Sequence, residues 1–260
     1  MKKFEILINK GQKIVGMFYE GNKTLMIICN GYDATKDFPS VKSLAEDLHK
    51  KKFSVVRFDF TGTGESTGPS SILIQQQVEN INVIVNHFKK YKKIVLVGGS
   101  LGAIPSSITA ILNPKISALV TLNGFFGKPT LAKKERRVYY QYRLLTILHP
   151  KFRRDYKYFK ENLVPKKINI PTLIIYSKTD EVVDPSQSQD FFSRLNKKIR
   201  KLVILPLKKH NLTGIGDTKE IATAIAKQFH DSRGRLSDRQ KNGPNMNKNR
   251  KKQSFENLNV

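Results

Sequence analysis

"KIVLVGGSLGAIP", residues 93–105, places a single serine between glycines directly after a run of apolar, β-forming residues. An uninterrupted apolar run is typical of a strand buried on both faces of a parallel sheet. Residues 98–102 fit the pattern Gly-x-Ser-x-Gly, in which a sharp strand-to-helix turn exposes the serine hydroxyl and tight packing leaves room only for glycine. We therefore predict that Ser100 is a nucleophile, the alternative being an ordinary turn residue. Pro105 is expected to distort the start of the following helix, because it removes one helical hydrogen bond.

The segments on either side of this stretch alternate between apolar runs and helical patterns. An antiparallel edge pair is predicted at the start of the chain, and a possible N-cap at Ser40 precedes the first helix. Further buried strands are predicted over residues 23–31, 53–60, 116–124, 171–180 and 201–207. This alternation predicts an α/β fold, with a mostly parallel central sheet covered by helices on both faces. In such sheets, ligands bind beyond the carboxyl ends of the strands.

The domain organisation follows from two segments that interrupt this alternation. Residues 128–167 contain no convincing strand and are rich in lysine, arginine and tyrosine, which predicts a small helical cap insertion. Residues 231–260 are polar, basic and without apolar periodicity, which predicts a disordered tail. The remaining length suits one α/β domain over residues 1–230.

Charge is the most unusual bulk property of the chain. Lysine and arginine number 47 against 21 acidic residues, a formal net charge of +26, which favours anionic partners such as nucleic acid, acidic lipid or an anionic substrate. Cys29 is the single cysteine, so no internal disulfide can form. Glu5, Asn9 and Lys10 interrupt any signal-peptide core, and no stretch approaches the roughly 18–20 apolar residues of a membrane span. These features predict a cytoplasmic protein.

A nucleophilic serine needs a base, and the base needs a carboxylate to orient it. With this strand-turn-helix topology, the expected chain order is serine, acid, histidine. Asp180 ends one predicted strand and His210 follows the last one, so both belong to the same rim as Ser100. Asp184 is the competing acid, but it precedes Pro185 and fits better as a helix cap. Asp180 as a turn residue and His210 as a loop residue are the alternatives. The other histidines are weaker candidates because they lie on or near predicted helices or in the insertion: His49, His87, His149 and His230.

The serine chemistry also requires donors for a developing oxyanion. The backbone N–H of Leu101 follows the serine at a helix N-terminus. The second donor is expected from the loop after residues 23–31, where Gly31 lets the backbone bend and the N–H of Tyr32 points inward.

Together these residues resemble the α/β-hydrolase superfamily, in particular its serine esterase branch of cinnamoyl and feruloyl esterases, monoglyceride lipases and family 33 serine aminopeptidase-like hydrolases. Four landmarks occur in the family's order over about residues 3–230: "NGYDAT", "RFDFTGTGESTG", "GGSLG" and "YSKTDEVVDP" followed by His210. The resemblance implies an α/β-hydrolase fold whose cap corresponds to residues 128–167. Asn30 departs from the pattern, because the family usually has a histidine there.

The leading hypothesis is a serine hydrolase of carboxylic esters or thioesters that works through an acyl-enzyme. An acyltransferase or a peptidase would use the same residues. The basic, tyrosine-rich cap suggests an aromatic or acyl substrate with negative charge, unless its charges form a solvated helix face. A different class is a non-catalytic protein that binds nucleic acid or anionic membrane through the cap and tail. "TGTGESTG" lacks the spacing of a nucleotide-binding loop, and no cofactor or metal is predicted.

Overall fold

The computed structural model describes residues 1–8, 11–69, 72–128, 130–131, 133–206, 209–210 and 217–229. Eight strands of these residues form one sheet in the order β1-β2-β4-β3-β5-β6-β7-β8. The strands are β1 (Lys2–Leu7), β2 (Lys13–Tyr19), β3 (Thr24–Cys29), β4 (Ser54–Phe58), β5 (Lys93–Gly99), β6 (Ile116–Leu122), β7 (Thr172–Ser177) and β8 (Arg200–Leu205). The helices are α1 (Pro39–Lys50), α2 (Ile74–His87), α3 (Ala103–Leu112), α4 (Lys133–Leu148), α5 (Pro150–Asn162), α6 (Ser186–Arg194) and α7 (Asp217–Phe229).

The sheet is mostly parallel, as predicted. Strands β3 to β8 run parallel to one another, whereas β1 pairs antiparallel with β2 and β2 pairs antiparallel with β4. Every residue of β3 and β4 is buried, as expected of central strands in a sheet with helices on both faces, although β4 includes the buried polar residues Ser54 and Arg57. Cys29 ends β3 inside this core, and burial raises the pKa of its thiol to about 12.

The prediction of Ser40 as a helix cap is wrong. Helix α1 begins at Pro39, Phe38 occupies the N-cap position, and Ser40 lies within the first turn. The reason is local: the fixed φ of proline suits the first helical position, and its missing N–H is one that needs no partner there. The start of α1 is therefore set by Pro39.

Two helices, α4 and α5, occupy the segment between β6 and β7 in which the sequence predicts an insertion. Asp155 of α5 is buried and joins this pair to helix α2. Its carboxylate accepts the backbone N–H groups of Ile74 and Gln75, at 3.1 and 2.9 Å, and the hydroxyl of Tyr142, at 2.9 Å. Asp155 thus caps α2 and holds α4 through one side chain.

The predicted tail over residues 231–260 and the histidine at position 230 lie outside the described residues. Among the residues that the structure does describe, no helix has the length and apolar character needed to cross a membrane.

Candidate active site

Ser100 lies at the turn between β5 and α3, with a backbone φ of +49°. Such a conformation is costly for a non-glycine residue and is found where surrounding structure enforces it. Glycines allow the tight packing that does so: a Cβ on Gly102 would lie 2.3 Å from the backbone oxygen of Cys29, and one on Gly31 would lie 2.9 Å from the Cβ of Ser100. The turn at Ser100 is therefore strained and is held by closely packed backbone.

The expected effect of Pro105 is confined to the start of the helix. Residues Ser100–Gly102 form a 3-10 turn before α3 begins. Pro105 is the third residue of α3, where a backbone N–H would have no partner within the helix, so its absence costs little.

The structure brings Ser100, His210 and Asp180 into one chain of hydrogen bonds. The Nε2 atom of His210 lies 2.9 Å from the Oγ of Ser100, and its Nδ1 lies 2.8 Å from Oδ2 of Asp180. The side chains of His210 and Asp180 are only 6% and 2% exposed. With a proton on Nδ1, the imidazole donates to the carboxylate and leaves Nε2 to accept the serine hydroxyl.

Asp180 and Asp184, the two candidate acids, have different hydrogen-bond partners. Asp180 Oδ1 accepts the backbone N–H groups of Val182 and Val183 at 2.9 Å each, so its carboxylate is held in place beside the imidazole. Asp184 Oδ1 instead accepts the N–H of Ser186, at 2.8 Å, at the start of α6. Hydrogen bonds from Ser186 hold the pKa of Asp184 below its ordinary value. The Asp184 side chain thus bonds to the first residue of α6, although Pro185 and not Asp184 occupies the N-cap position of that helix.

The backbone of His210 is held on both sides by residues that the sequence analysis did not single out. The carboxylate of Glu181 accepts its N–H at 3.2 Å, and Nδ2 of Asn123 donates to its carbonyl oxygen at 3.2 Å. Asn123 also accepts the N–H of Ser177 at 2.9 Å. A polar residue directly after β6 is a signal that could have found Asn123. Glu181 carries no comparable pattern.

The loop after β3 reaches Ser100 through Gly31, and Tyr32 and Leu101 line the same cavity as the serine. The side chain of Asn30 anchors this loop. It is buried, and its Nδ2 donates to the carbonyl of Phe58 at 2.9 Å, which ties the loop to the end of β4.

An ionic network centred on the buried Lys36 joins the loops after β3 and β4. Lys36 is only 3% exposed at its side chain and contacts Asp37, Asp59 and Glu65 at 2.8, 3.1 and 2.8 Å. Burial alone would lower the pKa of Lys36, but hydrogen bonds to the three carboxylates raise it above its ordinary value. The glycine-rich segment TGTGESTG, residues 61–68, packs closely against this cluster: a Cβ on Gly64 would lie 2.4 Å from Oδ2 of Asp59. The segment therefore packs against the Asp59 carboxylate, which also accepts the backbone N–H of Glu65 at 3.0 Å.

A cavity of about 570 Å³ opens next to Ser100 and His210. Its wall is mostly apolar, and no lysine or arginine among the described residues lines it. The cap segment contributes apolar and aromatic side chains to this wall: Leu131, Val138, Tyr139, Tyr142, Tyr156 and Phe159. Burial, followed by the Asp155 carboxylate, raises the pKa of Tyr142, so this hydroxyl stays neutral. Three tyrosines of this segment line the cavity, whereas none of its described lysines or arginines does.

Comparison with protein families matches two parts of the chain. The model described as alpha/beta hydrolase fold matches residues 24–156, which is just over half of the sequence. The model described as serine aminopeptidase, S33, matches residues 160–215, the part that contains Asp180 and His210. None of the curated proteins matches the sequence.

Many solved structures share the architecture. The esterase Pf2001 from Pyrococcus furiosus is 20% identical, with 88% of this chain and 91% of that chain covered and a TM-score of 0.69. Est1E from Butyrivibrio proteoclasticus, solved with ferulic acid bound, is 18% identical, with 88% and 100% covered and a TM-score of 0.67. Alpha/beta hydrolase domain-containing protein 10 from mouse is 17% identical, with 87% and 98% covered and a TM-score of 0.70. At these identities the likeness shows the fold.

Proposed function

We propose that this chain, which belongs to the alpha/beta hydrolase fold family, is a serine hydrolase that cleaves carboxylic esters or thioesters. The observation that carries the proposal is the continuous hydrogen-bonded chain from Ser100 through His210 to Asp180, placed at the wall of an apolar cavity. Neither a cofactor nor a metal is needed for this chemistry.

In the proposed mechanism, Ser100 Oγ attacks the acyl carbon while His210 Nε2 takes the hydroxyl proton. Asp180 keeps the imidazole in the required tautomer and stabilises the imidazolium that forms. The backbone N–H groups of Leu101 and Tyr32 bind the oxyanion, a contribution of roughly 3–4 kcal/mol for one such donor. The bond to the leaving alcohol or thiol then breaks, and His210 returns its proton to that group. Water, activated by His210, releases the acid and restores Ser100.

The cavity lining favours an apolar or aromatic acyl group. Ile104, Phe125 and Phe159 offer no partner for a charged substrate, whereas burial of each methylene of an acyl chain stabilises binding by about 0.8 kcal/mol. The cap cations are absent from the described lining, which favours a solvated helix face over recognition of an anionic substrate.

Hydrolysis of p-nitrophenyl esters across a series of acyl lengths tests the proposal, with Ser100→Ala measured alongside. We expect hydrolysis by the wild type, a rise in kcat/KM with acyl length until the cavity is filled, and loss of at least about 10³-fold in the variant. A fluorophosphonate should label the wild type and leave Ser100→Ala unlabelled. Equal rates for the two proteins, with Ser100→Ala folded by circular dichroism, would overturn the proposal.

Peptidase activity is a second candidate, favoured by the serine aminopeptidase match over residues 160–215. An aminopeptidase must bind a cationic amino group, and Asp33 is the one carboxylate among the described residues that line the cavity. Aminoacyl p-nitroanilides test this candidate: activity that depends on both Ser100 and Asp33 would favour it over ester hydrolysis. Adding an alcohol to the ester assay and measuring transfer products separates hydrolase from acyltransferase.

A further inference from the structure

Helix α4 carries a row of exposed apolar side chains. Tyr140, Leu144, Ile147 and Leu148 are 56%, 54%, 66% and 61% exposed. Their spacing of four, three and one residues places them on one side of the helix. Single exposed apolar residues are ordinary, but a contiguous row of large ones marks a surface for interaction.

Cations lie on the same side of α4, toward its N-terminus. Lys133, Arg136 and Arg137 are exposed and share one shallow surface depression with Tyr140 and Leu144. We call these five residues, together with Ile147 and Leu148, the α4 outer surface. It combines a cationic end with an apolar end along four turns of helix.

The other side of α4 forms part of the active-site wall. Val138, Tyr139 and Tyr142 line the cavity that contains Ser100. A single helix thus separates the α4 outer surface from the space in which an acyl group would bind. Whatever binds the outer surface therefore lies next to the active site.

Three kinds of occupant can be compared by their chemistry. A second copy of the chain is disfavoured because both copies carry a net charge of +26 and would bring the same cations together. Nucleic acid would use the cations, but its phosphate backbone offers nothing to bury Leu144 or Ile147. An anionic bilayer satisfies both ends, since headgroup phosphates bind lysine and arginine while leucine and isoleucine enter the boundary with the acyl chains.

We propose that the α4 outer surface docks the protein on an anionic lipid bilayer. If the proposed ester hydrolysis holds, this places the cavity beside lipid-soluble acyl esters, and the substrate class narrows to esters carried by that bilayer. Docking itself does not depend on catalysis, so the two proposals can fail separately.

Sedimentation of the full chain with vesicles tests the docking. We use phosphatidylcholine with about 30% phosphatidylserine, at about 0.15 M salt, with Ser100→Ala as the background so that no lipid is consumed. Arg136→Gln with Arg137→Gln should weaken binding about tenfold or more, and so should Leu144→Gln with Ile147→Gln. The controls are Lys89→Gln with Lys201→Gln, and Leu112→Gln, which change exposed residues elsewhere and should bind like the background protein.

Fluorescence gives a direct measure of insertion, because the chain contains no tryptophan. Leu144→Trp introduces a single reporter on the α4 outer surface, and Leu112→Trp introduces one at the end of α3. On adding anionic vesicles, we expect a blue shift and quenching by brominated lipid for Leu144→Trp only.

Several outcomes would overturn the proposal. One is failure of the background protein to bind anionic vesicles, and another is binding that both α4 double variants retain in full. A third is α4-dependent binding to RNA or to an acidic protein without binding to vesicles. If vesicle binding holds and every ester in the panel stays intact, docking stands and the hydrolase proposal fails.

Discussion

The imidazole Nε2 of His210 lies 2.9 Å from the Oγ of Ser100, although 110 positions of sequence separate the two residues. The parallel sheet produces this proximity, because the carboxyl ends of β5 and β8 lie on the same side of the sheet. Ser100 follows β5 and His210 follows β8, so both residues lie beyond the carboxyl ends of these strands.

Asp180→Asn should reduce kcat for ester hydrolysis by about 10³–10⁴-fold, because an amide no longer fixes the imidazole tautomer. Asp184→Asn is the matched control. It changes an aspartate four positions away that accepts the N–H of Ser186, and should keep its activity while losing no more than about 1 kcal/mol of stability. Steady-state kinetics and urea unfolding of both variants measure these effects. The reverse pattern, with Asp184→Asn inactive, would mean that the acid has been misassigned.

Glu181→Ala should lower kcat about tenfold to a hundredfold with little change in KM. Glu181 is a positioning residue, since it accepts the backbone N–H of His210 and thereby places the imidazole. Glu181→Gln keeps an acceptor oxygen and should restore most of the rate, a rescue that would not occur if the negative charge itself were needed. Kinetics of the two variants decide the matter: equal losses in both would contradict the positioning role.

Lys36→Met should destabilise the protein by about 3–5 kcal/mol, because it leaves the Asp59 carboxylate buried without its cation. Lys42→Met, at an exposed position on α1, should cost less than about 1 kcal/mol. Urea unfolding at neutral pH measures both. Similar small losses in the two variants would show that the cluster contributes little.

Stability should fall as the pH drops below about 4. Hydrogen bonds from Lys36 and Arg57 hold the pKa of Asp37 below its ordinary value. A carboxylate with a lowered pKa in the folded state stabilises the fold above its unfolded pKa, and this contribution disappears as the pH falls through the folded value. Urea unfolding between about pH 3 and 7 should therefore show a steeper acid loss for the wild type than for Asp37→Asn. Identical curves would contradict the assignment.

Gly102→Ala should destabilise the fold by roughly 1–3 kcal/mol or more, because the added methyl group would lie 2.3 and 2.4 Å from the backbone oxygens of Cys29 and Asn30. Gly99→Ala is the neighbouring control. A Cβ at Gly99 meets nothing within 4 Å, so its melting temperature should stay close to that of the wild type. Thermal unfolding of the two variants makes the comparison, and equal melting temperatures would mean that the turn accommodates a methyl group.

Much of the fold follows from local sequence pattern. Buried strands such as β3 and β5 are continuous apolar runs, and the turn at Ser100 requires glycines on both sides, so each can be read from neighbouring residues. The start of α1 could not be placed correctly from Ser40, because Pro39 outweighs a potential capping hydroxyl at that position.

By itself, the sequence determined the strand pattern and the polar residues that follow the strands, among them Ser100, Asp180 and His210, because strand periodicity and turn chemistry act over a few neighbouring positions. Only the tertiary structure decided what each residue contacts: Asp180 bonds to the imidazole, and Glu181 and Asn123 hold the backbone of His210. It also decided that Tyr139 and Tyr142 of α4 line the cavity, while Arg136 and Arg137 of the same helix lie on its exposed side. Which face of a helix points toward the cavity depends on packing against segments that are distant in sequence, so it cannot be predicted from composition.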